Sequence, residues 1–210
     1  MIEAVDLEFA YPRSPVTIAG FTGHFDAGEL VAVTGPSGCG KSTLLYLLGL
    51  MLTPRAGSLW VNGERVDQES DSTRAHRRAR QFGFVFQDAA LDTTRSVLDN
   101  ITETALYRGQ SPRQLKSSAQ RLMEQFGVEL RASAKPGEVS GGQAQRVALC
   151  RALISNPCIL LADEPTGNLD PSSTAVVLDG LRCHASSGAT VIVVTHDASV
   201  VRACDRSVTL

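Results

Sequence analysis

Leu30-Val-Ala-Val-Thr34 runs straight into Gly35-Pro-Ser-Gly-Cys-Gly40-Lys41-Ser42. The first five residues are almost wholly apolar and predict a strand buried on both faces, as in a parallel sheet. The next eight fit G-x-x-x-x-G-K-[ST]. Apolar residues at helical spacing (Leu44, Leu45, Leu47, Leu48, Met51) then predict a helix from Lys41 to about Met51, stopped by Pro54 and Gly57. A strand, a glycine-rich turn and a helix start in that order suit phosphate. Small residues let backbone N–H groups turn inward, and the helix N-terminus adds positive potential. Lys41 supplies a cation for β- and γ-phosphate oxygens, and the Ser42 hydroxyl a ligand for Mg²⁺.

On either side the pattern alternates. Residues 2–9 and 17–25 switch between apolar and polar and predict half-buried strands. Residues 58–61 and 65–66, joined through Asn62-Gly63, predict a hairpin, and 82–86 another apolar strand. The basic run 74–80 predicts a solvated helix face ahead of that strand. From Ser96 to Pro157 no strand signal remains, and helical periodicity covers 97–107, 112–126 and 142–155. Strands resume at 158–162 and 190–195, with helices at 172–184 and 197–203 and a last strand at 207–210. The result is an α/β layer on a parallel sheet, with a helical insertion between two of its strands.

Composition removes several function classes. A chain of 210 residues, 43% hydrophobic and 20% charged, fits one compact domain. It buries about 70% of its unfolded surface without needing disulfides or metal to fold. Twenty Lys+Arg against 22 Asp+Glu leave a net charge of -2, which argues against an electrostatic nucleic-acid binder. The basic run 74–80 has no interleaved aromatics for base stacking. The apolar runs at 158–162 and 191–194 fall far short of the roughly 20 residues of a membrane span. No basic and apolar leader opens the chain, so no signal peptide is expected. The five cysteines are scattered without a C-x-x-C pair and read as small buried hydrophobes in a reducing compartment.

A second chemical element is Ile159-Leu-Leu-Ala-Asp163-Glu164. Its apolar run predicts a core strand delivering Asp163 to the sheet's C-terminal edge, where ligands of open α/β sheets sit. Asp163 is placed to hold Mg²⁺, and Glu164 to polarise a water attacking the γ-phosphate. A third is Ser140-Gly-Gly-Gln143, a Ser N-cap with two glycines at a helix start. It offers a second anion-binding terminus, for which one chain has no obvious second nucleotide.

Together these elements resemble the ATP-binding cassette (ABC) ATPases over nearly the whole chain. The phosphate loop, Gln87, Ser140-Gly-Gly-Gln143, Asp163-Glu164, the loop 167–170 and His196 follow that family's order. The resemblance implies a P-loop NTPase: a RecA-like core with a mostly parallel sheet, an N-terminal antiparallel β subdomain and an inserted α-helical signature subdomain. Residues 1–210 would form one domain, about 1–90 plus 158–210 being the core and about 91–157 the helical part. ATP would be held by Gly35, Pro36, Ser37, Gly38, Cys39, Gly40, Lys41, Ser42 and Thr43, with Tyr11 stacked on adenine. Mg²⁺ would take Ser42, Gln87 and Asp163. Glu164, His196, Gln87 and Lys41 would carry catalysis. Ser140, Gly141, Gly142 and Gln143 would reach the γ-phosphate of an opposite subunit, with Asp170 at the interface. Two copies would thus close head-to-tail on two ATP.

Residues 82–87 and 161–170 are similar to the MacB/LolD/FtsE group. That implies a separate FtsX- or MacB-like integral membrane permease, attachment at the cytoplasmic face of the cell membrane, and efflux or extraction of a substrate. No nucleic-acid partner is expected. Cargo and transport direction are not written in these residues. Two features depart from the family: Val139 precedes Ser140 where Leu is usual, and residues 88–94 are more acidic and polar. The chain stops inside a strand, so a near-minimal cassette without a regulatory domain is expected. The competing reading is a non-transport ABC ATPase, either a cytosolic assembly scaffold or a factor acting on nucleic acid or ribosomes.

Overall fold

A computed structural model describes residues 1–13, 15–167 and 169–210. Its strands are β1 (Ile2–Phe9), β2 (Ile18–Phe25), β3 (Leu30–Thr34), β4 (Ala56–Val61), β5 (Glu64–Arg65), β6 (Phe82–Val85), β7 (Ile159–Asp163), β8 (Thr190–Val194) and β9 (Arg206–Thr209). Its helices are α1 (Lys41–Leu48), α2 (Asp71–Gln81), α3 (Val97–Thr102), α4 (Thr104–Tyr107), α5 (Pro112–Gln125), α6 (Gly141–Leu153), α7 (Pro171–Ser186) and α8 (Ala198–Ala203).

Strands β2-β1-β4-β5 form an antiparallel sheet, and β6-β7-β8-β3-β9 a parallel one. The crossover between the neighbours β6 and β7 carries α3 to α6, the helical insertion that the missing strand signal predicts. Period-2 alternation sends Val31, Val33, Ile159, Leu161, Ile192 and Val194 into a core shared with α1 and the antiparallel sheet. Leu30, Leu160, Ala162, Val191 and Val193 enter the opposite core, with α6 and α7. Both faces are therefore dry. At about 1.5–3 kcal/mol for each large apolar side chain buried, a polar residue on either face would be costly, hence the unbroken apolar runs.

Where element boundaries differ from expectation, local chemistry explains the difference. The helix from Lys41 ends at Leu48 rather than Met51, because Gly49 caps it and Leu50 turns left-handed at φ 60°. The helix expected over 97–107 breaks at Glu103 into α3 and α4. The Thr102 hydroxyl donates back to Leu98 O at 2.9 Å, a bond that bends helices. The Asn62-Gly63 hairpin forms as expected, with φ of 51° and 81°. The basic run lies on α2, but its arginines are not all free in solvent. Arg77 grips Glu69 and Glu64, and Arg78 donates to Leu50 O. Of the five cysteines expected to be buried, only Cys150 is, and desolvation pushes its thiol up to about 12. Cys158 and Cys183 are exposed, one just ahead of β7 and the other on the outer face of α7.

Candidate functional site

Parallel pairing aligns the C-terminal ends of the central strands, with Val33 opposite Val194 and Val194 opposite Asp163. Everything that leaves those ends meets at one edge. After β3 comes the loop 35–40, after β6 Gln87, after β7 Glu164, and after β8 His196. Gly40 caps α1 in left-handed conformation (φ 102°) with no side chain on the first-turn N–H groups. A Cβ there would lie 3.0 Å from Thr17 O, so the loop fits against β2's entry only as glycine. Lys41 Nζ turns into the loop and donates to Gly35 O at 3.0 Å and Pro36 O at 2.9 Å. A cavity of about 440 Å³ is lined by Ser37, Gly38, Gly40, Lys41, Ser42, Thr43, Thr17, Gln87, Asp163, Glu164 and His196.

Tyr11 stands beside this cavity, just past β1. Its ring is partly exposed, edge-on to Phe9 at 4.9 Å, and its hydroxyl lies 3.3 Å from Thr43 Oγ1. Glu164 is held in a left-handed backbone conformation (φ 45°) by its N–H bond to Val194 O at 2.9 Å. One carboxylate oxygen lies 2.6 Å from His196 Nδ1, and the other accepts from Thr195 Oγ1 at 3.3 Å. The hydrogen bond and charge of Glu164 raise the His196 imidazole above its ordinary 6.5. Asp163 is 4% exposed, and burial pushes its carboxyl up from 3.8; hydrogen bonding from Ser42 and Tyr46 and the charge of Lys41 pull the other way.

Among the described residues none of 140–143 lines the phosphate-loop cavity; Gly141 lines a smaller cavity of about 120 Å³ with Gln87, Glu164 and Gly167. Ser140 Oγ accepts from Gln143 N at 3.2 Å, and Gln143 Oε1 accepts from Ser140 N at 3.0 Å, a reciprocal cap starting α6. The Gln143 side chain, expected to face a nucleotide, is thus turned onto its own helix start. Asp170 caps α7, accepting from the N–H groups of Ser172 and Ser173 at 3.0 Å each and from both their hydroxyls. These donors hold its carboxyl well below the usual carboxylate range. Asn168, in the loop 167–170 of the sequence reading, lies outside the described residues.

A family model described as ABC transporter matches residues 18–167. The chain belongs to the ABC transporter family. Lipoprotein-releasing system ATP-binding protein LolD 1 of Caulobacter vibrioides is 44% identical over 185 residues, covering 87% of this chain and 79% of that one. The uncharacterized ABC transporter ATP-binding protein MJ1508 of Methanocaldococcus jannaschii is 36% identical over 213 residues, covering 100% and 95%. Among solved structures, the dimeric structure of MJ0796, a bacterial ABC transporter cassette, superposes with a TM-score of 0.93 at 32% identity, covering 100% of this chain and 94% of that one. A post-hydrolysis state of MJ0796 bound to ADP and Pi gives 0.90 at 30% identity, with the same coverage. This ABC cassette is an ATP-binding ATPase of the MacB/LolD/FtsE-like branch.

The cassette's donors fit a magnesium ion. Asp163 Oδ1 is buried with no hydrogen-bond partner, and Ser42 lines the same cavities as Asp163. A buried orphan oxygen beside a hydroxyl is the oxygen-only environment a hard cation takes, with phosphates and water completing its shell. Gln87, exposed and lining both the phosphate cavity and an adjoining pocket of about 620 Å³ over Asp163, stands within the same space. Three residues of this neighbourhood escaped the sequence reading. Tyr46 lines the pocket over Asp163; Gln145 and Arg151, both buried on α6, bond the chain around Gln87. Only Arg151 left a signal, as the lone charge in the apolar run 147–153.

Proposed function

We propose that this cassette is the energy-coupling subunit of a LolD-like transporter: two copies close head-to-tail around two ATP and drive a separate membrane permease. The observation that carries the reading is that the phosphate-loop cavity is lined without the second helix start. Among the described residues, those lining the phosphate-loop cavity include none of 140–143. Gly141 reinforces it. A Cβ there would meet nothing within 4 Å, so this helix start is open to a group brought by a second copy. The dimeric structure reported for MJ0796 supports a pairing of two copies.

In the closed site Lys41 exchanges its bonds to Gly35 O and Pro36 O for phosphate oxygens. The N–H groups of the loop cradle the chain of phosphates, and Tyr11 lies against adenine. Ser42, Asp163 and Gln87 would hold Mg²⁺, which neutralises phosphate charge. Glu164 takes a proton from the attacking water as its oxygen bonds the γ-phosphorus and the β,γ-bridging bond breaks, giving ADP and phosphate. His196, held by Glu164, donates toward the γ-phosphate. Residues 1–210 act as one cassette, 91–157 presenting the signature segment.

A permease partner is supported by an apolar groove of about 740 Å³ between α2, β6 and α4, lined by Phe82, Phe84, Phe86, Met51 and the 67% exposed Tyr107. Among the described residues no helix is long and apolar enough to cross a membrane. We place the cassette at the cytoplasmic membrane face, in extraction or efflux. The deciding experiment is Glu164→Gln with ATP and Mg²⁺, read by analytical ultracentrifugation. A stable dimer that dissolves on ATP removal is expected, and a chain that stays monomeric at saturating ATP overturns the head-to-tail reading.

A further inference from the structure

One strip of chain, residues 86–90, separates the candidate catalytic site from the apolar groove. Phe86 and Ala90 line both the groove and the pocket over Asp163, and Gln87 lines that pocket and the phosphate cavity. The strip is strained. Ala89 and Ala90 are left-handed in succession, at φ 61° and 46°, where Cβ crowds the following carbonyl oxygen. Such a conformation persists only where its surroundings over-determine it.

Helix α6 supplies that determination. Arg151 donates from one guanidinium nitrogen to Ala90 O at 2.6 Å and from the other to Ala89 O at 2.8 Å. Gln145 donates to Phe86 O at 3.1 Å. Both side chains are buried, and the Arg151 charge has the Glu103 carboxylate 3.8 Å away. A planar fork reaches two adjacent carbonyls at once, whereas a lysine ammonium is a single point of attachment. Arg151 also lines the groove. The same side chain therefore touches the space for a partner and fixes the backbone that carries Gln87.

We propose that Arg151 is a positioning residue for ATP hydrolysis: by gripping Ala89 O and Ala90 O it holds the left-handed turn that aims Gln87 at the phosphate cavity. The inference rests on the reading of Gln87 given above. The prediction for Arg151→Met is a kcat lowered on the order of tenfold to a hundredfold, with the dissociation constant for ATP held within about twofold, because the phosphate-loop contacts are intact. Arg151→Lys lowers kcat in the same direction. Glycine adopts left-handed backbone freely, so Ala90→Gly restores a large part of kcat in the Arg151→Met background.

The test measures steady-state ATPase, binding of a fluorescent ATP analogue and thermal midpoint for these variants and for Gln87→Ala, all in the purified chain. A purely structural role predicts that kcat and ATP affinity fall together with the thermal midpoint and that Ala90→Gly rescues nothing; that result overturns the proposal. Should Arg151→Met fail to fold, Arg151→Lys decides: lowered kcat at unchanged ATP affinity supports the proposal, and wild-type kcat overturns it. Lost turnover in Gln87→Ala with wild-type turnover in both Arg151 variants overturns the proposal alone. Wild-type turnover in Gln87→Ala overturns the Gln87 reading and the proposal with it.

Discussion

Glu164 and His196 form the pair on which the proposed chemistry turns, and their contact is a titration as well as a hydrogen bond. The carboxylate raises the imidazole above 6.5, so in the folded chain the histidine keeps its proton to higher pH than an unfolded one. The resulting stabilisation is complete below 6.5 and is lost as pH rises through the folded value. Two measurements check this. The His196 ring signals, followed by NMR against pH, should titrate above 6.5 in the wild type and move back toward it in Glu164→Gln. The difference in thermal midpoint between wild type and His196→Gln should shrink as pH rises through the same interval. A His196 that titrates identically with and without the Glu164 charge would sink the assignment of cause. At this scale the sequence reading reaches residues whose place is local in the chain. The phosphate loop, Ser140, Asp163-Glu164 and His196 are each placed by the element beside them. It failed for Tyr46, Gln145 and Arg151, whose partners lie in other elements: Arg151 meets Ala89 and Ala90 some sixty residues earlier, and no spacing within α6 announces that.

Among the elements, α6 does two jobs, presenting Ser140 at its start and lying against β6 along its length. The contact is close because Gly83 has no side chain. A Cβ there would fall 2.6 Å from Ala152 O and 2.9 Å from Pro157 Cγ. The carbonyl belongs to helix backbone and cannot swing away, so Gly83→Ala must push α6 off the sheet. Overpacking of this kind costs about 1–3 kcal/mol. Urea unfolding should therefore show a lower midpoint at unchanged slope, and hydrogen exchange should quicken in α6 before it does in β1 or β2. An unchanged midpoint would mean that the helix has slack the geometry does not show. The strands themselves were legible because burial on both faces of the parallel sheet leaves an apolar run that no loop tolerates. The break at Glu103 was not, since it depends on which carbonyl the Thr102 hydroxyl selects rather than on periodicity.

At the scale of the whole molecule, one chain lacks half of the proposed site. Among the described residues its phosphate-loop cavity is lined by none of 140–143, which start α6 instead. If each copy completes the other, two different defects can compensate. Lys41→Ala removes the phosphate loop's cation but leaves Ser140–Gln143 intact. Ser140→Arg does the reverse, filling the space where the partner's γ-phosphate would lie. Neither variant alone can assemble a complete site in its own dimer. In an equimolar mixture half the dimers are mixed by chance, and each mixed dimer holds one site with both parts sound and one with both defective. Independent sites then return about a quarter of wild-type turnover. Phosphate release by the mixture, set against the sum of the two pure stocks, is the measurement. A rise on mixing follows only if the catalytic pocket is divided between copies, because a site contained within one chain is dead in both stocks and stays dead when they are combined.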